Sequence, residues 1–215
     1  AMFTVSMAVG AEEMAKSGAI VTKLSAIEDA ASMTVLCADK TGTLTYNKLK
    51  LTAALPVKGH TKDEVVLYGS LASQEANRDP IDMAFIEATR GMTTSLKVKE
   101  FRPFDPSTKR TEALVTDGEK EFWVSKGALT VIARELCGED PPEDLNKATS
   151  YFASKGYRTL GVAMQRRGRW ELVGLAALYD TPREDTPSLV AKLKEMGIRV
   201  KMLTGDAAPI AKEIA

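Results

Sequence analysis

Near the start of the chain, Met33-Thr34-Val35-Leu36-Cys37-Ala38 forms a nearly unbroken apolar run that ends at Asp39. Such a run predicts a strand buried on both faces in a parallel sheet. A second run, Ile198-Arg199-Val200-Lys201-Met202-Leu203, ends at Thr204-Gly205-Asp206. Before it, apolar residues at 189, 190, 193 and 196 form a helical stripe that Gly197 closes. Glycine suits the position after a helix C-terminus. Helix, turn and strand ending in a polar loop make half of a doubly wound α/β unit, which gathers its ligands at the carboxyl ends of its strands.

The texture between the two runs is different. Periodicity predicts helices over 62–74, 81–89, 129–136 and 143–155. It predicts strands over 96–104, 112–116, 121–125, 159–165 and 170–179, with Asp117-Gly118 as a hairpin turn. Antiparallel strands with helices apart indicate an α+β domain. Upstream, residues 9–17 and 26–31 read as helices and 20–24 as extended. The resulting fold is an α/β parallel-sheet domain from 26–45 and 174–215, left incomplete at its end. It is interrupted by an inserted α+β antiparallel-sheet domain at 46–173 and preceded by a stalk or linker at 1–25. The apolar start and a finish inside a helical pattern suggest a piece of a longer protein.

Charge narrows the function classes. Lys+Arg and Asp+Glu balance at 29 each, so no global field favours nucleic acid or an anionic membrane surface. Arg166-Arg167-Gly168-Arg169 reads as a solvated hairpin tip. The longest apolar stretch, Ala1 to Ala11, is about half of the ~20 residues a spanning helix needs. Cys37 and Cys137 lie in apolar surroundings and predict largely buried free thiols. His60, the single histidine, follows a turn glycine and predicts a surface position. With so few ligands no zinc site is indicated.

The chemistry concentrates at Asp39-Lys40-Thr41-Gly42-Thr43-Leu44-Thr45. A carboxylate at a strand end can attack a phosphoryl group and form an acyl phosphate, splitting one hard step into two. Gly42 lets a tight loop bring its amides to an anion. Because carboxylate and phosphate repel, a divalent cation is required, and an all-oxygen site with substrate phosphates suits Mg2+.

This heptapeptide resembles the signature of the P-type cation-transporting ATPases, within the haloacid-dehalogenase-like superfamily. The resemblance continues in order through Lys126-Gly127-Ala128, Tyr157-Arg158-Thr159-Leu160-Gly161-Val162-Ala163, Asp180-Thr181-Pro182-Arg183 and Thr204-Gly205-Asp206. Phe101-Arg102-Pro103-Phe104-Asp105-Pro106-Ser107-Thr108-Lys109-Arg110-Thr111, with stretches at 7–11 and 19–28, is most similar to the plasma-membrane proton-pump branch.

The resemblance implies roles. Asp39, in a catalytic set with Lys40, Thr41, Thr204, Gly205 and Asp206, would take the γ-phosphoryl group of ATP. Asp39 and Thr41 would hold Mg2+. Phe104 would stack on adenine, Lys126 and Gly127 would line its pocket, and Asp82 would face its amino group. Lys109 and Arg158 would meet the phosphates, while Asp180 and Arg183 would work at the hinge between domains. Phosphatases of the superfamily usually carry an aspartate two residues after the nucleophile. Thr41 stands there instead, which favours a phosphoenzyme that persists.

The resemblance also implies partners. The membrane-spanning and actuator domains of a multi-pass cell-membrane parent lie outside this chain, which would sit on the cytoplasmic side. The segment that completes the Mg2+ site would follow Ala215, so the chain alone is expected to bind ATP and to turn over weakly or not at all. Other readings remain: a calcium or other cation pump, a nucleotide-binding module without turnover, or a soluble phosphatase, which Thr41 disfavours.

Overall fold

The computed structural model describes residues 2–204, and the chain divides into two compact units. One comprises residues 2–39 and Glu184–Leu203, the other Lys40–Arg183 with Thr204.

In the smaller unit, α1 (Met2–Lys16) and α2 (Ser25–Ala31) precede β1 (Val35–Asp39), and α6 (Thr186–Glu195) leads through a turn into β8 (Arg199–Leu203). β1 and β8 pair in parallel, Asp39 opposite Leu203. Thus the mixed fold has its parallel sheet where the apolar runs place it. The expected burial of both faces is not found: Ala38 is buried, whereas Cys37 and Asp39 are exposed. Among the described residues this sheet has two strands, so each is an edge strand and neither is enclosed as a central strand of a larger parallel sheet is. Residues 20–24 form no strand either, and Ile20 is largely exposed. The first helix starts at Met2 rather than at residue 9.

The larger unit is a six-stranded antiparallel sheet in the order β2-β7-β6-β5-β4-β3. Its strands are β2 (Thr45–Pro56), β3 (Lys97–Asp105), β4 (Arg110–Thr116), β5 (Glu121–Gly127), β6 (Arg158–Arg166) and β7 (Arg169–Pro182). On one side α3 (Lys62–Leu71) and α4 (Pro80–Ala88) contribute Val65, Val66 and Phe85 to a core with Val124, Val162 and Leu178. A second cluster, Leu129, Leu145 and Leu175, draws in Phe152 from α5 (Glu143–Ser154). A helical segment with π-type hydrogen bonding, Val131–Cys137, ends at Gly138, which has φ 77°. Burial from both sides explains why 173–178 of β7 are continuously buried.

The hairpin tips fall where the sequence places them, and local caps start α3 and α4. Thr61 and Glu64 form a reciprocal capping box on α3, and Asp79 caps α4 ahead of Pro80. The tips at 117–118 and 167–168 turn the β4–β5 and β6–β7 hairpins, with Arg167 and Gly168 both at positive φ.

Other expectations fail for visible reasons. β2 carries no helical or strand assignment from periodicity because register shifts between Thr45 and Leu49 and between Leu51 and Ala53 break its alternation. α3 ends at Leu71 instead of 74, because Thr111 and Lys126 donate to the Ala72 carbonyl and Asp82 accepts from the Gln74 amide. His60 is no surface residue: its side chain is 6% exposed beside Glu64, with Nδ1 3.4 Å from the carboxylate. Cys137 is half-buried, and Cys37 is exposed rather than buried.

Candidate functional site

Asp39 closes β1 at its carboxyl end, and Leu203, opposite it, is followed at once by Thr204. Gly205 and Asp206 lie outside the described residues. The loop that follows Asp39, Lys40–Leu44, turns through Gly42 at φ 79°. A side chain is strained at that angle whatever space surrounds it, which is the local reason for glycine inside the motif.

Lys40 is buried, and so is Thr45 at the loop's end. The Thr45 hydroxyl donates to Asp180 Oδ2 at 2.6 Å and accepts from the Gly42 amide at 3.3 Å. Asp180 Oδ1 accepts from the Lys48 amide at 3.2 Å, inside the β2 irregularity. Arg183 donates its backbone N–H to the Leu44 carbonyl at 3.0 Å. Its guanidinium lies 5.3 Å from the Tyr46 ring centroid, within cation–π range. Lys40, Thr41, Arg158 and Asp180 line a cavity of about 60 Å³.

A larger cavity of about 750 Å³ opens in the same unit, inside the range of small-molecule sites. It is lined by Asp82, Phe104, Lys109, Lys126 and Gly127, so these sequence candidates converge. Asp79, Pro80 and Ile81 line both cavities. Phe104 presents its ring with 60% of the residue exposed. A methyl at Gly127 would stand 2.6 Å from the Lys109 carbonyl oxygen, so glycine is required where β4 and β5 approach. Lys109 itself has φ 52°, which fixes the bend that carries its side chain to the cavity.

Lys126 is 3% exposed. Its ammonium donates to Asp82 Oδ1 at 2.7 Å and Ser73 Oγ at 2.8 Å, with Thr111 Oγ1 at 3.2 Å and the Ala72 carbonyl also in reach. Burial holds this ammonium below the ordinary lysine range, and the Asp82 carboxylate acts against that. Asp82 is therefore bound by Lys126 and the Gln74 amide within the protein. Sequence reasoning missed Ser73, Thr111, Thr45 and Tyr46. Thr45 carried a signal, since it belongs to the motif.

For Mg2+, the Asp39 carboxylate and the Thr41 carbonyl offer oxygen donors only. Among the described residues no group of three or more His, Cys, Asp or Glu side chains could hold a metal. Mg2+ usually binds through one or two carboxylates plus substrate phosphates and water, so this donor set fits it.

Residues 33–215 match the haloacid dehalogenase-like hydrolase family. The chain belongs to that family. Its homologues are P-type cation-transporting ATPases. A Methanocaldococcus jannaschii protein, provisionally named a cation-transporting ATPase, is 47% identical over all of this chain and 27% of its own length. Plasma membrane ATPase 1 of Schizosaccharomyces pombe is 45% identical over all of this chain and 25% of its own length. This hydrolase-family chain thus spans about a quarter of those relatives. A crystal structure of a zinc-transporting PIB-type ATPase in an E2.Pi state shares the fold, with a TM-score of 0.65 and 23% identity over 97% of this chain and 32% of that one. No helix among the described residues is long and apolar enough to cross a membrane.

Proposed function

We propose that this chain is the ATP-binding and phosphate-accepting part of a cation pump. In this reading 26–45 and 174–215 belong to the phosphorylation domain, 46–173 to the nucleotide domain and 1–25 to the stalk. The observation that carries it is Asp39 at the end of a parallel strand, leading into a loop with glycine at positive φ. An Asp39 carboxylate oxygen attacks the γ-phosphorus of ATP, the bond to the β,γ-bridging oxygen breaks, and ADP leaves with that electron pair. Asp39 and Thr41 would hold Mg2+, which would neutralise charge between carboxylate and phosphate. Thr41 has no acid to offer water, so the acyl phosphate persists.

The 750 Å³ cavity supports the nucleotide half of the reading. Adenine stacks on exposed Phe104, with Lys126 and Asp82 behind it, while Lys109, Arg158 and Arg183 serve the phosphates. The transported ion is the proton, on the similarity of 101–111 to the proton-pump branch; another cation is the alternative. The spanning and actuator segments belong to the full-length cell-membrane protein.

The test has two arms. The 215-residue chain is titrated with ATP, and Lys126→Ala is expected to weaken binding at least about tenfold; unchanged affinity refutes the pocket. The full-length protein is incubated with γ-labelled ATP and Mg2+ and quenched in acid. Hydroxylamine-sensitive label that vanishes in Asp39→Asn is expected. Label that survives that substitution sinks the assignment.

A further inference from the structure

Two of the places where the chain passes between its units are Asp39–Lys40 and Arg183–Glu184. Within the larger unit both passages start from one pair of strand ends, since Thr45 of β2 stands opposite Pro182 of β7. Hydrogen bonds join these ends besides the strand ladder. Arg183 N–H donates to the Leu44 carbonyl at 3.0 Å, and the Thr45 hydroxyl donates to Asp180 Oδ2 at 2.6 Å.

The hydroxyl does more than close that bond. It is the acceptor for the Gly42 amide at 3.3 Å, and the Lys40 carbonyl lies 3.2 Å away. A hydroxyl has a single proton to give. A carboxylate acceptor at 2.6 Å takes the hydrogen bond in preference to a neutral carbonyl at 3.2 Å, so the hydroxyl points its proton at Asp180 and leaves its lone pairs for the Gly42 amide. Thr45 is fully buried and Asp180 is 8% exposed, so water does not compete for the bond between them. The Asp180 carboxylate also takes the Lys48 amide at 3.2 Å, which the broken β2 register leaves without a ladder partner.

We propose that Thr45 is a positioning residue: its hydroxyl, oriented by Asp180, holds the Lys40–Leu44 loop in the shape that presents phosphate-accepting Asp39. The proposal rests on the function proposed above for Asp39. The hydroxyl ties the phosphorylation loop to the far end of β7, so the two strand ends that carry these passages are clamped together. Loss of the hydroxyl frees the loop while leaving the nucleotide cavity, which Thr45 does not line, as it was.

Three variants of the chain test this: Thr45→Val, which keeps the shape and removes the hydroxyl; Thr45→Ser, which keeps the hydroxyl; and Asp180→Asn, which cannot accept from both Thr45 and Lys48. Amide hydrogen exchange is read at Gly42 and across Lys40–Leu44, and ATP affinity is measured alongside. In Thr45→Val the Gly42 amide exchanges about tenfold faster, the scale of one lost hydrogen bond to a hydroxyl. Thr45→Ser restores protection, and ATP affinity changes less than about twofold in both. In the full-length protein, Thr45→Val slows Asp39 labelling at saturating ATP about tenfold, and Thr45→Ser rescues it.

Gly42 exchange equal to wild type in Thr45→Val, or equal loss in Thr45→Ser and Thr45→Val, overturns the proposal. If Thr45→Val does not fold, Asp180→Asn decides by the same exchange measurement, with unchanged Gly42 protection counting against the proposal. Loop exchange does not depend on Asp39 accepting phosphate. Absence of label in wild type therefore refutes the function reading while exchange still judges the clamp.

Discussion

The two units differ in how they are held together. Among the described residues, the smaller buries only Ala38 and Ile198, on a two-stranded sheet. The larger buries a core around Phe85, Ile132, Leu175 and Leu178 and sets charged residues inside it. Yet the heptapeptide that identifies the chemistry starts at the edge of the sparsely packed unit. On the function proposed above, an acid that accepts phosphate needs exposure and a turn, whereas a cavity that takes a nucleotide needs rigid walls, which buried polar groups supply here.

The largest expected effect tests those walls. Lys126 and Asp82 form an ion pair with 3% and 11% of their side chains exposed. Lys126→Met leaves the carboxylate buried without its cation, and breaking such a pair costs about 3–5 kcal/mol. Urea unfolding of the chain is expected to show that loss, and Lys126→Met with Asp82→Asn to recover part of it. A loss below about 1 kcal/mol would mean that hydrogen bonds from Gln74 alone hold Asp82, and that the contrast between the units does not lie in buried charge.

A smaller effect separates binding from folding within the larger unit. Phe104 is exposed at the cavity, so little of its area contributes to the fold. Phe104→Ala is expected to weaken ATP binding about fivefold, the equivalent of ~1 kcal/mol of stacking, with no change in the thermal midpoint. A fall in that midpoint with unaltered affinity would place Phe104 with the structural residues instead.

The sequence was legible where chemistry demands neighbours in the chain. Asp39 to Thr45 are contiguous, and the apolar runs before Asp39 and Thr204 show the parallel sheet directly. The hairpin tips at 117–118 and 166–169 were equally local. What stayed hidden depends on contacts across the chain. Lys126 meets Asp82 across 44 positions, and Thr45 meets Asp180 across 135. No periodicity encodes either pairing. β2 was hidden for a different reason, as its register shifts erase the period-2 pattern that announces a strand. Burial of Cys37 and exposure of His60 were misjudged because composition near a residue does not say how many layers cover it.

The two cysteines give the smallest effect and one reporter per unit. Cys37 lies exposed on β1, whereas burial pushes the Cys137 thiol up to about 11, with Glu139 and Glu171 adding to the shift. The thiolate is the nucleophile, so at pH 8 roughly one Cys137 in a thousand is reactive, against about a quarter of an ordinary thiol. Alkylation followed by mass spectrometry is expected to modify Cys37 first, and Cys137 at least about tenfold more slowly, with its rate rising about tenfold per pH unit up to pH 10. The sign for stability follows: the folded chain keeps this proton between about pH 9 and 11, where the unfolded chain has released it. The contribution is therefore present below pH 9 and is lost as pH rises toward 11. With the thiol only half-buried, solvent screening keeps that loss below about 1 kcal/mol. A Cys137 alkylation rate that levels off below pH 9.5 would show that the larger unit opens around this helical segment and frees the thiol from its burial.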